Sequence, residues 1–127
     1  RINYEARLEP GETEVGQVRA ISVSTGKTEW MFSQRFGVMG TVATGGDLVF
    51  VGDVVGRFRA FDARSGDVLW ETELGGAVSG VPITFGLDGK QYVAVATGPA
   101  PEAMGLGRLT PEVRPGTERR LHVFALD

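Results

Sequence analysis

Short hydrophobic runs alternate with glycine- and aspartate-rich stretches along most of the chain. In the middle of the chain the hydrophobic runs contain valine, phenylalanine and threonine, residue types that favour strands. The stretches between them, Gly45-Gly46-Asp47, residues 52–56 and Arg64-Ser65-Gly66-Asp67, have the compositions of turns. This pattern predicts four consecutive short strands, at Thr41–Thr44, Leu48–Val51, Phe58–Phe61 and Val68–Glu71.

The pattern repeats after 40 positions. Residues 20–30 and 60–70 share the frame Ala-x-Ser/Asp-x-x-Thr/Ser-Gly-x-x-x-Trp, and residues 40–44 match residues 80–84 at the same offset. A period of roughly 40–45 residues that holds four short strands is typical of one blade of a β-propeller.

Counting strands against this period divides the chain, residues 1–127, into one complete blade and two partial blades. Residues 18–32 form a half blade, residues 40–73 a full blade, and residues 80–127 an incomplete blade with an inserted loop at 98–118. The loop is expected because four of the six prolines fall there. The sequence therefore predicts an all-β fold, a partial β-propeller of about two to three four-stranded blades.

The repeated frame has a mechanical explanation. Gly26 and Gly66 can take the positive φ that the hairpin turns require. Trp30 and Trp70 follow four residues later and are expected to project between blades and pack on the next one. These tryptophan docking motifs predict that neighbouring blades are held together by a buried aromatic side chain.

Composition and charge exclude several classes of function. The net charge is −3, and no run of lysine or arginine is longer than the pair Arg119-Arg120, so nucleic acid is not expected as a partner. The chain has no cysteine, and no hydrophobic run is long enough for a membrane-spanning helix. Because it begins at Arg1 without a signal pattern, we expect it to be a piece of a longer polypeptide.

Isolated polar residues offer little catalytic chemistry. Asp53, Asp62 and Asp88 each occupy a turn position, where an aspartate bonds the nearby backbone. The pair Asp88-Gly89 also predicts a two-residue hairpin in which both residues take positive φ. His122 is the only histidine and lies in an alternating strand pattern, so we expect a hydrogen-bonded strand residue. No catalytic or metal-binding residue is therefore assigned.

At this point the sequence resembles a known family. Residues 40–53 and 56–70 are similar to the penultimate blade of the pyrroloquinoline quinone (PQQ)-dependent alcohol and methanol dehydrogenases. Residues 81–98, with the run Asp-Gly-Lys-Gln-Tyr-Val, resemble the final blade, and residues 121–126 its terminal strand. The chain is identified on these motifs as the C-terminal portion of such a quinoprotein.

The resemblance implies an eight-bladed propeller enzyme of the bacterial periplasm, which holds PQQ above a calcium or lanthanide ion. In that family an aspartate acts as base while a primary alcohol transfers hydride to the quinone. The chain shows no counterpart of the catalytic aspartate, of the metal-binding glutamate and asparagine, or of the vicinal disulfide. We therefore expect no cofactor to be bound by this segment alone, and no activity.

One segment resembles the cofactor side of the family. Residues 35–41, Arg-Phe-Gly-Val-Met-Gly-Thr, are similar to the methanol dehydrogenase pattern Arg-Phe-Ala-Val-Trp-Gly-Gly-Thr, in which the tryptophan contacts the quinone. Here Met39 replaces the tryptophan and one glycine is missing. Met39 and Gly40 are the candidate cofactor-binding residues, and the alternative is that Met39 fills a gap in a loop between strands.

Two functions remain open from the sequence. The first is the C-terminal blades of a PQQ-dependent alcohol dehydrogenase, with the other blades or a second copy as partner and cytochrome c as electron acceptor of the parent enzyme. The second is a PQQ-like repeat propeller without enzymatic activity, acting as a binding or assembly scaffold. The segment does not identify the alcohol, the metal, the electron acceptor or the oligomeric state.

Overall fold

The computed structural model describes residues 7–99 and 106–126. These residues form ten strands and one short helix, whose bounds are β1 (Gly16–Ile21), β2 (Thr28–Gln34), β3 (Val38–Ala43), β4 (Leu48–Asp53), β5 (Arg57–Asp62), β6 (Val68–Glu73), β7 (Ala77–Val78), β8 (Ile83–Leu87), β9 (Lys90–Gly98), α1 (Leu106–Leu109) and β10 (Arg120–Leu126). The prediction of an all-β fold is confirmed.

The strands form three antiparallel sheets in chain order. The first sheet pairs β1 with β2, and the second has the order β3-β4-β5-β6. In the third sheet β9 is central, with β10 along one side and both β7 and β8 paired with it as well. The first two sheets connect neighbouring strands through short turns, whereas in the third sheet β9 and β10 are joined by a long connection.

A hydrophobic cluster of the described residues lies between the second and third sheets. Phe58 of β5 is completely buried there, and Val93 of β9 faces it from the third sheet. The other buried members are Phe50, Ala60, Leu74, Val78 and Val95. The core therefore joins adjacent sheets face to face, as expected for stacked blades.

Both tryptophans contact the following sheet, as the repeated frame predicts, but the predicted burial is wrong for Trp70, which is 38% exposed, and Trp30 is half-buried. The Trp30 ring is parallel to the Phe61 ring at a centroid distance of 6.0 Å, and its Nε1 donates to the Ala63 carbonyl oxygen at 2.9 Å. Trp70 contacts Phe124 edge to face at 5.1 Å. Gly66 lies directly under the Trp30 ring, where a Cβ atom would come within 2.6 Å of the indole.

Three local features differ from the expected boundaries. The incomplete blade is expected to start at residue 80, but its strand β8 begins at Ile83, because the buried Pro82 has no N–H group to donate to β9. The segment before it pairs separately as β7. The region expected to be loop contains the single helical turn α1.

The connections between strands lie at two opposite ends of the sheets. The Val54 amide donates to the Gly37 carbonyl at 3.0 Å, and the Leu74 amide donates to the Gly56 carbonyl at 2.8 Å. Three connections between strands therefore lie at the same end of the sheets, at residues 35–37, 54–56 and 74–76. We call this end the connection face. Residues 106–119, which we call the insert, reach the same face, because Thr117 forms a β-bridge with Gly76.

Candidate functional site

The candidate segment around Met39 is part of a strand. Val38 pairs with Asp53 and Gly40 pairs with Gly52, which are consecutive residues of β4. Met39 is therefore an extra residue of β3 without a pairing partner in β4. Such a β-bulge bends the strand and changes the direction of a side chain, and bulges are frequent beside functional sites. The expectation that Met39 lies in a loop between strands is wrong, since it lies in the edge strand of the second sheet.

Met39 and Gly40 both take part in packing between the sheets. Met39 is half-buried and packs against the hydrophobic cluster. Gly40 is buried, and a Cβ atom there would lie 2.2 Å from the Gly80 carbonyl oxygen and 3.1 Å from Pro82 Cδ. The close approach of the neighbouring chain segment therefore requires glycine at position 40.

These two residues do not form a cradle for a quinone. The space beside the Gly40 Cα, which a ligand ring could otherwise occupy, is filled by the backbone at Gly80. Among the residues that the structure describes, no group of three or more His, Cys, Asp or Glu side chains could hold a metal ion. The described residues therefore do not fit a complete PQQ site, and we derive no reaction step through that cofactor.

A buried charged network lies directly beside the bulge. The Arg59 guanidinium donates through Nη1 to Gln34 Oε1 at 2.8 Å and to Asp53 Oδ2 at 3.2 Å, and through Nε to Glu71 Oε2. Its Cζ atom lies 5.3 Å from the centre of the Phe32 ring. Because Gln34 and Phe32 belong to the first sheet, the network joins two sheets underneath the connection face.

Asp53 is the centre of this network and is completely buried. Its Oδ1 accepts hydrogen bonds from the Val55 amide at 3.1 Å and the Arg57 amide at 2.8 Å, as expected for a turn aspartate. The ion pair of Oδ2 with Arg59 was not anticipated. The available signal was the charged Arg59 in the middle of a hydrophobic strand, six residues after an aspartate.

The segment that leads into the bulge is fixed from both sides. The Gln34 side-chain amide donates to the Phe36 carbonyl oxygen at 2.9 Å and to Asp53. The Arg35 side chain reaches the insert, donating to the Glu112 carboxylate and to the Leu109 carbonyl oxygen. No local pattern in the sequence indicates this role of Arg35, because Leu109 and Glu112 are distant from it in sequence.

The turn aspartates behave as expected. The Asp62 carboxylate accepts hydrogen bonds from the amides of Arg64 at 2.8 Å and Ser65 at 3.0 Å. Those two amides, Ser65 contributing most, hold the pKa of Asp62 below its model-compound value of 3.8. Asp88 and Gly89 have φ values of 50° and 76°, which confirms the predicted hairpin turn.

His122 is a hydrogen-bonded strand residue, as predicted. Its Nε2 lies 3.3 Å from Thr97 Oγ1 on the paired strand. The imidazole is nearly parallel to the Phe124 ring, at a centroid distance of 6.4 Å. This environment gives His122 a role in the third sheet, away from the bulge at Met39.

Comparison with known proteins identifies the family. The domain described as "Glucose/ethanol/alcohol dehydrogenase, beta-propeller domain" matches residues 33–93. Quinoprotein ethanol dehydrogenase of Pseudomonas putida is 41% identical over 88 residues, 68% of this chain. Methanol dehydrogenase [cytochrome c] subunit 1 of Methylobacterium organophilum is 39% identical over 99 residues, 77% of this chain. The chain belongs to the PQQ-dependent alcohol dehydrogenase family.

Solved structures of this family share the fold. A europium-containing methanol dehydrogenase is 34% identical, with a TM-score of 0.75 over 91% of this chain and 24% of that one. The quinohemoprotein alcohol dehydrogenase of Comamonas testosteroni is 28% identical, with a TM-score of 0.67 over 86% of this chain and 16% of that one. The partial β-propeller of the quinoprotein type is thereby confirmed.

The chain spans 14% of the length of the Pseudomonas putida and Methylobacterium organophilum relatives. The match therefore covers part of their propeller. Among the described residues, no helix is long and hydrophobic enough to cross a lipid bilayer.

Proposed function

We propose that this chain supplies the C-terminal blades of a PQQ-dependent alcohol dehydrogenase that oxidises a primary alcohol. The observation that supports this most strongly is the 41% identity to quinoprotein ethanol dehydrogenase over 68% of the chain. The match includes the bulged strand β3 and the network beneath it, since residues 33–93 match the family domain.

The cofactor of the parent enzyme is PQQ with calcium or a lanthanide, and PQQ when bound accepts hydride from the alcohol. A europium-containing relative supports the lanthanide alternative. In this proposal Met39 is the residue by which the chain approaches the cofactor, because the β-bulge sets it apart from the regular strand. Gly40 contributes indirectly in this proposal, because its missing Cβ allows the chain at Gly80 to pack directly against the strand that carries Met39.

The segment alone is proposed to be inactive. A cofactor on a propeller axis is held by side chains from many blades, whereas the described residues make up two four-stranded sheets and one two-stranded sheet. A base must also lie within hydrogen-bond reach of the substrate hydroxyl. Asp53, the buried carboxylate nearest to Met39 in the strand pairing, is already engaged by Arg59 and two backbone amides.

The proposed partners follow from the relatives and from the exposed surfaces. Cytochrome c is the proposed electron acceptor, on the strength of the name of the methanol dehydrogenase relative. The proposed location is the periplasm, where the family oxidises alcohols. The remaining blades of the parent, or a second copy of this chain, would cover the hydrophobic outer face of the third sheet.

A chimera tests the proposal. The matching 88-residue segment of the Pseudomonas putida quinoprotein ethanol dehydrogenase would be replaced by the corresponding part of this chain. We expect the purified chimera to bind PQQ with calcium and to reduce an artificial dye with ethanol, and the isolated chain to do neither. A folded chimera without PQQ binding would favour the scaffold alternative. Ethanol-dependent dye reduction by the isolated chain would contradict the proposed inactivity.

A further inference from the structure

We propose that Arg35 is a positioning residue that fixes the insert against the segment leading into the Met39 bulge. Any effect of this contact on substrate access rests on the proposed function. The contact between Arg35 and the insert can be tested on this chain by itself. The inference rests on the hydrogen bonds of one guanidinium group and on the distance in sequence between the segments that it joins.

Arg35 joins three segments of the chain. Its Nε and Nη2 atoms donate to the two carboxylate oxygens of Glu112, at 2.7 and 3.2 Å. Nη1 donates to the Thr13 carbonyl oxygen and Nη2 also donates to the Leu109 carbonyl oxygen, both at 2.8 Å. A planar guanidinium can hold a carboxylate with two parallel bonds and still reach carbonyl groups, which a lysine ammonium cannot do equally well.

The insert has a second, independent attachment at its other end. Thr117 forms a β-bridge with Gly76, and the Glu118 amide donates to the Gly75 carbonyl oxygen at 3.4 Å. The backbone at Gly116 approaches Gly75 so closely that a Cβ atom there would lie 1.9 Å from the Gly75 oxygen. These contacts hold residues 116–118 next to the third sheet, but they do not reach residues 109–112.

Arg35 therefore holds the part of the insert around residues 109–112 at the connection face. Leu109 and Glu112 lie 74 and 77 residues after Arg35 in sequence, so the contact joins the connection that follows β2 to the insert that precedes β10. The side-chain amide of the neighbouring Gln34 donates to Asp53 and to the carbonyl oxygen of Phe36. Because the backbone of Arg35 is fixed in this way, its side chain transmits the position of the bulged strand to the insert.

Hydrogen exchange measured by mass spectrometry on the 127-residue chain tests this role without any cofactor. In Arg35→Ala we expect the amides of residues 107–113 to exchange about tenfold faster or more, because the segment loses the hydrogen bonds that Arg35 donates to Leu109 and Glu112. Exchange in β4 and β5 should stay unchanged. Arg64→Ala is the matched control, since it removes an exposed arginine that bonds Asp47 at the opposite end of the sheets.

Two further variants protect the test against global unfolding. Arg35→Lys should give an intermediate rate, since it retains the charge but loses the two-pronged bond to Glu112. Glu112→Ala, which changes an exposed residue of the insert, should also increase exchange at residues 107–113. Equal exchange of these amides in wild type, Arg35→Ala and Glu112→Ala would overturn the proposal. Faster exchange throughout β4 and β5 in Arg35→Ala, Arg35→Lys and Glu112→Ala would also overturn it.

The pH dependence gives an independent readout. Glu112's own backbone amide and the Arg35 guanidinium, with a smaller contribution from Arg114, hold the pKa of Glu112 below its ordinary value of 4.5. The ion pair is therefore complete above that value and is lost as the pH falls through the lowered pKa. The ratio between Arg35→Ala and wild-type exchange should shrink in that range. A constant ratio would overturn the assignment to this ion pair. A chimera without activity would leave all of these results standing.

Discussion

Asp53 is a completely buried carboxylate whose charge is balanced from the side by a single arginine. Transferring a charged group from water into the protein interior costs free energy. Removing one partner of a buried ion pair therefore leaves the other charge buried without compensation. The pair also holds Gln34, which fixes the backbone before the bulge. At the residue scale, this network rather than Met39 carries the stability of the candidate site.

We expect Arg59→Met to lower the free energy of unfolding by about 3–5 kcal/mol, because it leaves Asp53 buried without its partner. Urea denaturation followed by tryptophan fluorescence measures the change. The double variant Asp53→Asn with Arg59→Met should recover part of the loss, since no charge remains buried. The matched control is Arg64→Met, whose exposed ion pair with Asp47 should contribute about 0–1 kcal/mol. Equal losses for the two arginines would show that burial of the Asp53 pair is unimportant.

Gly40 shows what sequence can and cannot reveal about a single residue. The glycine was singled out because it matched a family pattern, and the structure explains it by the Gly80 carbonyl 2.2 Å from its absent Cβ. The contact is made by a residue of the next repeat, so it depends on how two blades pack and not on any local pattern. Arg59 and Arg35 were overlooked for the same reason, since their partners are distant in sequence.

At the scale of the elements, the period of 40 located the strands because each blade repeats the same turns. The period could not predict where individual strands differ from the repeated pattern. β7 and β8 are separate because Pro82 cannot donate a hydrogen bond, and β3 contains a bulge at Met39. The insert has no counterpart in the other repeats, so neither α1 nor its contact with Arg35 could be predicted.

The two tryptophans occupy equivalent positions in the repeat but have different surroundings. Trp30 is half-buried, bonds the Ala63 carbonyl and covers Gly66. Trp70 is 38% exposed and contacts rings at Phe58 and Phe124. The difference arises because the turn at residues 63–67 covers Trp30.

We therefore expect Trp30→Ala to lower the free energy of unfolding by about 3 kcal/mol and Trp70→Ala by about 1–2 kcal/mol. Trp70 buries less of its side chain than Trp30 and has no contact comparable to that of Trp30 with the turn at residues 63–67. Urea denaturation followed by far-ultraviolet circular dichroism measures both without relying on indole fluorescence. Trp30→Phe serves as the control, because it retains the ring stacking on Phe61 and removes the hydrogen bond. A larger loss for Trp70→Ala than for Trp30→Ala would contradict the importance of the covering turn.

At the scale of the whole molecule, the two ends of the row of sheets differ in chemistry. The outer face of the third sheet carries Ile83 and Val123, both register partners of Ala94. Its further exposed hydrophobic residues include Phe85, Leu87 and Leu121. The outer face of the first sheet instead carries Arg19 and Gln17, which bond each other at 2.7 Å beside Met31. The two faces are therefore not complementary to each other.

This difference predicts how the isolated chain associates. A hydrophobic face of this size favours burial against another hydrophobic face, so two copies should join through their third sheets in a two-fold arrangement. Joining the third sheet of one copy to the first sheet of the next would bury Arg19 without a partner of opposite charge. We therefore expect light scattering to show a concentration-dependent dimer, which does not grow into longer oligomers.

Ile83→Glu combined with Val123→Glu should yield a monomer, because a dimer would bring these carboxylates together, whereas the control Met31→Glu should leave the dimer intact. A monomeric wild-type chain, or loss of the dimer in Met31→Glu alone, would contradict association through the third sheet.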